Sequence, residues 1–205
     1  MPTLLLVRHA TTVATGKRLG GWTPGVHLDE AGQQQAERVA DHLEGLPVAA
    51  VYASPLERTQ ETARPIARRH GLRVRTRKDI GEVDYGAWTD KPLGQLRRRK
   101  LWKVIQQTPS RFAFPDGESI RGAQLRAVDA IDGLLADHDE DEVVVAVSHA
   151  DIIKAVLAFH LGMPLDTFQR LVISPASVST IVLREHAPPV VAAISVRPAS
   201  GAVRP

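Results

Sequence analysis

The stretch VVVAVSHADIIKAVLAFH, residues 143–160, gives the first indication of the class of fold. Residues 143–148 are the clearest core strand in the chain, an unbroken apolar run that ends in a serine. A helix is predicted to follow over about 150–161, ended by Gly162 and Pro164. A strand that leads directly into a helix is the repeating unit of α/β proteins. The rest of the chain is therefore expected to alternate in the same way.

Apolar runs and amphipathic stretches do alternate outward from this unit. Strands are predicted at residues 3–8, 48–53 and 72–76, followed late in the chain by two or three more, near 170–174, 178–184 and 190–196. Helices are predicted at residues 29–44, 56–70, about 119–137, and around the basic run RRRK at 97–100. Asp29 is the expected N-cap of the first helix, Pro65 is expected to bend or interrupt the second, and HAPP at 186–189 is the expected hairpin loop. The alternation predicts an α/β fold, a three-layer sandwich with a mostly parallel sheet and helices on both faces.

The composition of the 205 residues limits the possible functions. The chain has no cysteine, which excludes a disulfide framework, a cysteine zinc site and a thiol nucleophile. A formal net charge of +3 indicates a mildly basic surface that suits small anions and does not indicate a nucleic-acid partner. No apolar run is long enough to span a membrane, so a cytoplasmic protein is the expectation.

Charged and imidazole side chains follow three of the predicted strands. Arg8 and His9 follow the first, the stretch Ser54 to Arg58 follows the second, and His149 follows Ser148. Ligands of such sheets bind outside the carboxyl ends of the strands. Two arginines and two histidines at one sheet edge describe a pocket for a dianion, because guanidinium groups match phosphate or carboxylate oxygens. The alternative is that the arginines pair with surface carboxylates.

Five blocks of sequence in a fixed order resemble one known family. The blocks are VRHATT, YASPLERTQETA, IGEVDYGAW, PDGES and VSHADIIKA, which begin at residues 7, 52, 80, 115 and 147. They are similar to the blocks of the histidine phosphatase superfamily, the phosphoglycerate-mutase-like proteins, and the similarity spans residues 4 to about 182. One block alone would be a weak signal, whereas five in order are specific.

The resemblance implies a role for each matching residue. His9 would be the nucleophile that takes the phosphoryl group, and Arg8, Arg58 and His149 would hold the phosphate. Glu82 would protonate the leaving oxygen and then accept a proton from water.

Other features of the resemblance concern the proton donor, the metal and the phosphate contacts. Asp84, two residues after Glu82, is the rival proton donor. The scheme needs neither a metal nor a cofactor. Thr15 and Ala150 lie where relatives contact phosphate, although relatives usually carry Asn and Gly there.

Two further departures occur in the first block, where Ala10 replaces the usual Gly and Thr11 the usual Glu. A side chain at position 10 restricts little unless φ is positive there. The loss of the glutamate removes a negative charge beside the phosphate site. Neither departure touches the core Arg, His and Glu positions.

The resemblance predicts a metal-independent phosphomonoester hydrolase that acts on a small phosphorylated metabolite. The alternatives are a phosphoglycerate-mutase-type phosphotransferase and an inactive relative that only binds phosphate or phosphoproteins. The basic stretch RRRKLWK, residues 97–103, could hold a second anionic group or could be a solvated helix face. A serine hydrolase built on Ser148, His149 and Asp151, or a metal site on the last two, is much less well supported.

The expected domain organisation is one domain over residues 1–196, within which residues 84–118 form a covering segment over the site. Residues 197–205 are expected to be a flexible tail. The sequence leaves the oligomeric state open, and a dimer is possible.

Overall fold

The computed structural model describes residues 2–184 and 186–198, and a six-stranded sheet runs through its centre. The strands are β1 (Thr3–Arg8), β2 (Val48–Ala53), β3 (Val74–Thr76), β4 (Val143–Ser148), β5 (Val178–Arg184) and β6 (Ala187–Val196). They lie in the order β3-β2-β4-β1-β5-β6. The pairs among β3, β2, β4 and β1 are parallel, and β5 and β6 join antiparallel. The predicted α/β fold with a mostly parallel sheet is confirmed.

The α-helices connect the parallel strands and flank the sheet. They are α1 (Glu30–Leu43), α2 (Glu57–Arg69), α3 (Leu93–Leu96), α4 (Lys100–Gln107), α5 (Ile120–Leu135) and α6 (Ala150–His160). Asp29 caps α1 as predicted, because its side chain accepts a hydrogen bond from the Gly32 N–H at 2.7 Å.

Each face of the sheet buries its own apolar cluster. Leu5 and Val7 of β1 pack with Val39 and Leu43 of α1 and with α2 on one face. Leu4 and Leu6 of β1 point to the opposite face, where α5, α6 and residues 80–114 cover them. Alternate residues of a strand point to opposite faces, so one continuous apolar run serves both clusters.

The register of the central strands brings three chain segments together at one edge. Arg8 of β1 pairs with Ser148 of β4, so the two strands end at the same level. The His9 N–H donates to the Ser148 carbonyl at 2.9 Å, and the Ser54 N–H donates to the Val147 carbonyl at 3.1 Å. The residues that follow β1, β2 and β4 therefore meet at the carboxyl edge of the sheet.

The predicted strand at 170–174 is absent. Residues Leu165–Arg170 form a 3₁₀ helix, and residues 171–174 join no strand. The Ile173 carbonyl instead accepts a hydrogen bond from Arg8 Nη1 at 2.6 Å, and β5 occupies the place beside β1. The segment is thus used to hold a side chain at the sheet edge.

Two boundaries in the sequence prediction were also wrong. The RRRK run lies mainly in the turn between α3 and α4, with only Lys100 inside a helix. Strand β6 begins at Ala187, which pairs with Arg184 of β5, so three of the four residues of HAPP lie in the strand. Helix α2 continues without interruption through Pro65, which is buried. Packing of that helix face outweighs the one hydrogen bond that a proline removes.

The predicted flexible tail, residues 197–205, lies mostly outside the residues that the structure describes. Residues 197 and 198 have no regular secondary structure, and residues 199–205 lie outside the described part of the chain. Over the ranges that the structure describes, no helix combines the length and apolarity that a membrane span requires.

Candidate active site

A cleft of about 220 Å³ opens at the carboxyl edge of the sheet. Six residues predicted from the sequence line it: Arg8, His9, Thr15, Arg58, Glu82 and Ala150. They come from the ends of β1 and β2, from the irregular stretch before α3 and from the start of α6. Those that directly follow a strand or lie in the first turn of a helix, such as His9, Arg58 and Ala150, have positions that are set by the sheet.

The His9 imidazole has a defined tautomer. Its Nδ1 lies 2.8 Å from the Ala10 carbonyl oxygen, which only accepts, so Nδ1 carries the proton. The other nitrogen, Nε2, keeps its lone pair and bonds to no described residue. Burial, with Arg58 and Arg8 nearby, lowers the pKa of His9 to about 3. The ring is therefore neutral at pH 7 and has one nitrogen free to act as a nucleophile.

Two arginines, Arg58 buried and Arg8 partly buried, present buried N–H groups that lack protein partners. Arg8 donates from Nη1 to the Ile173 carbonyl, while its Nε is buried and unpaired. Arg58, only 3% exposed at the start of α2, donates from Nη2 to the Gly21 carbonyl at 2.8 Å, and its Nη1 is unpaired. Unpaired buried donors on two fixed cations are costly unless an anion binds them. The cleft therefore has the charge and the donors for one phosphate group.

The structure places His149 behind Arg58 and not on the cleft wall. Its ring is fully buried, and Nε2–H donates to Ser54 Oγ at 2.8 Å. Nδ1 accepts from Arg58 Nη2 at 3.3 Å. Burial lowers the pKa of His149 far below its usual value, followed in importance by Arg58, so this ring is also neutral. In this arrangement His149 orients Arg58, since both of its nitrogens are occupied by protein groups.

Glu82 is a buried carboxyl group beside the two arginines. Its Oε1 accepts from the Val83 N–H at 3.0 Å, and its Oε2 lies 3.8 Å from His149 Nδ1. Burial, then the charge of Asp151, raises the pKa of Glu82 to about 7, against the opposing effect of Arg58. The Trp22 indole N–H holds the Glu82 backbone carbonyl at 2.7 Å. A carboxyl group in this state holds and releases a proton near neutral pH.

Asp84 lies outside the cleft. Its side chain is exposed and accepts a hydrogen bond from the Gly86 N–H at 2.9 Å, which shapes the turn before Trp88. Its own N–H donates to Glu118 at 2.8 Å. Of the two carboxyl groups considered from the sequence, Glu82 is the one that borders the arginines.

The departures from the family pattern have local explanations. Ala10 does not have a positive φ, and its N–H donates to Thr62 Oγ1 at 3.0 Å, so a methyl group is accommodated. Thr11 points away from the cleft and donates to Asp29 Oδ1 at 2.9 Å. Thr15 lines the cleft, but its hydroxyl already bonds to the Thr12 N–H at 2.9 Å and stabilises the loop.

Tyr85 and Asp151 line the cleft and were not predicted as residues of this site. Tyr85 Oη donates to Asp151 Oδ2 at 3.0 Å, and Lys154 Nζ lies 3.3 Å from the other carboxylate oxygen. Burial raises the pKa of Tyr85, so its hydroxyl stays protonated. Tyr85 lies three residues after Glu82 and Asp151 two after His149, and this proximity to motif residues was the only signal in the sequence.

The stretch 84–118 contributes little to the cleft surface. Only Tyr85 and Leu93 of it line the cleft, while Trp88, Phe112 and Phe114 pack into the core. The basic residues of RRRKLWK are exposed and none lines the cleft, as expected for a solvated surface.

The structure does not support a serine hydrolase or a metal site at this edge of the sheet. Ser148 Oγ is buried and donates to the Ile80 carbonyl at 2.7 Å, so it fixes the segment before Glu82 and is not a nucleophile. Within residues 2–184 and 186–198, no group of three or more His, Cys, Asp and Glu side chains is arranged to hold a metal ion.

A neutral imidazole beside Arg8 and Arg58, at the carboxyl edge of a parallel sheet, is an arrangement that suits a bound phosphate group. The histidine phosphatase superfamily (branch 1) matches residues 4–194, so the chain belongs to this superfamily and the predicted resemblance is confirmed.

Known proteins agree with this assignment. The chain is 30% identical over 190 residues to phosphoserine phosphatase 1 of Hydrogenobacter thermophilus, covering 91% of this chain and 89% of that protein. It is 29% identical over 187 residues to a probable phosphoglycerate mutase of Yersinia enterocolitica, covering 89% and 85%. The solved structure of YhfR from Bacillus stearothermophilus superposes with a TM-score of 0.87 at 27% identity, covering 95% of this chain and 97% of that one. The relatives support phosphatase or mutase activity.

Proposed function

We propose that the protein is a phosphomonoester hydrolase that acts through a phosphohistidine on His9 and needs no metal ion. The observation that carries the proposal is the pairing of a free His9 Nε2 lone pair with the unpaired N–H groups of Arg8 and Arg58 in one cleft. A nucleophile and two anion-binding cations in contact with the same space are what phosphoryl transfer requires.

In the first step, His9 Nε2 forms a bond to phosphorus as the bond to the leaving oxygen breaks. Arg8 and Arg58 hold the charge on the non-bridging phosphoryl oxygens, and Glu82 gives its proton to the leaving alcohol. In the second step, water attacks phosphorus, Glu82 takes a proton from that water, and Nε2 regains its lone pair. His149 acts as a positioning residue through its hydrogen bond with Arg58.

The size and charge of the cleft support the proposed substrate class. A volume of about 220 Å³ suits a small phosphorylated metabolite, and the named activity of the Hydrogenobacter relative supports hydrolysis. The mutase name of the Yersinia relative makes phosphoryl transfer to a second phosphoglycerate the other candidate.

The decisive experiment measures phosphate release from a panel of phosphomonoesters with EDTA present, for the wild type and for His9→Ala. We expect turnover in the wild type only, with equal thermal stability and circular dichroism of the two proteins. Phosphate release that survives in His9→Ala, or that EDTA abolishes, would contradict the proposal. Transfer from one phosphoglycerate to another, without release to water, would favour the mutase.

A further inference from the structure

The cleft is also lined by residues other than the arginines, and these border the region where the leaving group of a bound phosphomonoester would lie. Gly16, Leu19 and Gly20 line it with uncharged atoms, together with Leu93, whose N–H donates to the Lys17 carbonyl of the same loop at 2.9 Å. The carboxyl groups of Asp151 and Glu82 line the cleft as well. The kind of leaving group that this region can bind therefore depends on which charged groups of the protein are available to it.

Each cation that lines the cleft either faces the bound phosphate or is paired with a carboxylate of the protein. Among the described lining residues the cations are Arg8, Arg58 and Arg18. The first two supply the donors for one phosphate group. Arg18 is paired with Asp90, through Nε to Oδ1 at 2.6 Å and Nη2 to Oδ2 at 2.8 Å, so its charge is already matched. Asp90 thus takes Nε and Nη2 of Arg18, and a second anionic group on the substrate would have to share this cation with Asp90.

Asp151 adds a carboxylate to the same region, and its ion-pair partner Lys154 is not among the described residues that line the cleft. The Asp151 oxygens each have one protein partner, Tyr85 Oη at 3.0 Å and Lys154 Nζ at 3.3 Å. A carboxylate has about four lone-pair sites, so acceptor capacity remains for a hydroxyl or amine of a substrate. A substrate carboxylate or second phosphate would meet repulsion there.

We propose that this region is a leaving-group subsite that selects phosphomonoesters of neutral or amine-bearing alcohols and rejects those with a second anion, with Asp151 as the specificity-determining residue. The inference rests on the proposed hydrolase activity and deepens it. This specificity distinguishes the protein from an enzyme that acts on phosphoglycerate, because the leaving group of phosphoglycerate carries a carboxylate.

The test compares two substrates that differ in one group. Glycerol 3-phosphate and 3-phosphoglycerate share the ester carbon and the middle hydroxyl, but one ends in a hydroxymethyl group and the other in a carboxylate. We expect kcat/KM of the wild type to be about tenfold higher, or more, for glycerol 3-phosphate, as one charged hydrogen bond gained or lost implies. The p-nitrophenyl ester serves as the reference for hydrolysis itself.

A matched pair of variants locates the selectivity. Asp151→Asn removes the charge from the subsite, and we expect the substrate ratio to fall by about tenfold. Asp129→Asn removes the same charge from an exposed position on α5 outside the cleft, and should leave the ratio unchanged. Asp151→Asn also affects the protonation of Glu82, but this affects both esters alike because both leaving groups are primary alcohols. The ratio of the two kcat/KM values therefore reports how the subsite recognises the leaving group.

The outcomes separate this inference from the proposed function. A wild-type ratio near or below one overturns the inference while hydrolysis stands, and so does hydrolysis of the nitrophenyl ester with neither three-carbon ester accepted. An unchanged ratio in Asp151→Asn removes that residue from the specificity role. Absence of phosphate release from all three esters overturns both proposals.

Discussion

Glu82 is the side chain whose chemistry depends most on its neighbours. Burial and Asp151 raise its pKa to about 7, so the carboxyl is protonated below that pH and ionised above it. An acid that must donate a proton in the first step is lost as pH rises. We therefore expect kcat/KM for an alkyl phosphate to fall above about pH 7, which a pH–rate profile of the wild type will show.

The assignment of the acid is tested by Glu82→Gln beside Asp84→Asn. Loss of a general acid costs about 100-fold or more when the leaving group is a poor one. We expect that loss for glycerol 3-phosphate with Glu82→Gln and a much smaller one for p-nitrophenyl phosphate, whose phenolate leaves without a proton. Asp84→Asn should behave like the wild type on both esters. The reverse pattern would move the role to Asp84.

The motifs predicted which side chains converge but not how each is oriented. Arg8, His9 and Arg58 follow strands in the sequence, and strand ends meet at one edge. The preference for Glu82 over Asp84 rested on the resemblance, because the two lie in an irregular stretch where no periodicity relates position to direction. The place of His149 behind Arg58 depends on hydrogen bonds between distant segments, which sequence spacing does not encode.

Helix α1 is packed so closely on the loop after β1 that one glycine is required. A Cβ at Gly32 would lie 2.1 Å from the Thr11 carbonyl oxygen, two residues beyond His9. We expect Gly32→Ala to shift this loop, destabilise the protein by about 1–3 kcal/mol and reduce turnover. Urea unfolding and kcat measured on the same preparation check both effects.

The matched control lies in α5. A Cβ at Gly133 would meet no atom within 4 Å, so Gly133→Ala places the same residue type in an open helical position. We expect it to stabilise the protein by about 0.5–1 kcal/mol and to leave activity unchanged. Equal effects of the two substitutions would show that the contact with Thr11 is not tight.

Elements with strong local signals were predictable, and those defined by tertiary contacts were not. The Asp29 cap and the apolar face of α1 specify that helix locally. The apolar residues at 171–173 have the same composition as a strand, but the place beside β1 is taken by β5. The competition between two segments for one sheet position is not visible in either segment alone.

Stability of the whole molecule should depend on pH through its buried imidazoles. The pKa of His9 is about 3 in the folded protein and about 6.5 in an unfolded chain, so between these values the unfolded state binds an extra proton. The free energy of unfolding therefore falls as pH is lowered from 6.5. In His9→Gln, the slope between pH 4 and 6 should be smaller by about 1.4 kcal/mol per pH unit.

Urea unfolding at several pH values measures this slope. His42→Gln, which removes an imidazole from the exposed surface of α1, is the control for loss of a histidine as such. The comparison uses slopes, so a uniform change in stability of either variant does not affect it. Parallel curves for the wild type and His9→Gln would show that His9 is protonated alike in both states.

The overall architecture was the most predictable level. Alternating strands and helices require crossover connections, which make neighbouring strands parallel and place helices on both faces. The order of the strands, with β4 between β2 and β1, was not predicted. It depends on which faces pack together, and this is decided across the entire chain.

The exposed basic residues near α4 give the molecule a strongly uneven distribution of charge. Residues 91–115 contain seven of the 26 Lys and Arg residues and no Asp or Glu, so the remainder has 19 basic and 23 acidic residues. The formal net charge of +3 thus conceals a segment of +7 on a body of −4. Such a molecule is an electric dipole, and it should adsorb to a negatively charged chromatography matrix in one orientation, held by this segment. It should elute later than a protein of equal net charge whose charges are evenly spread.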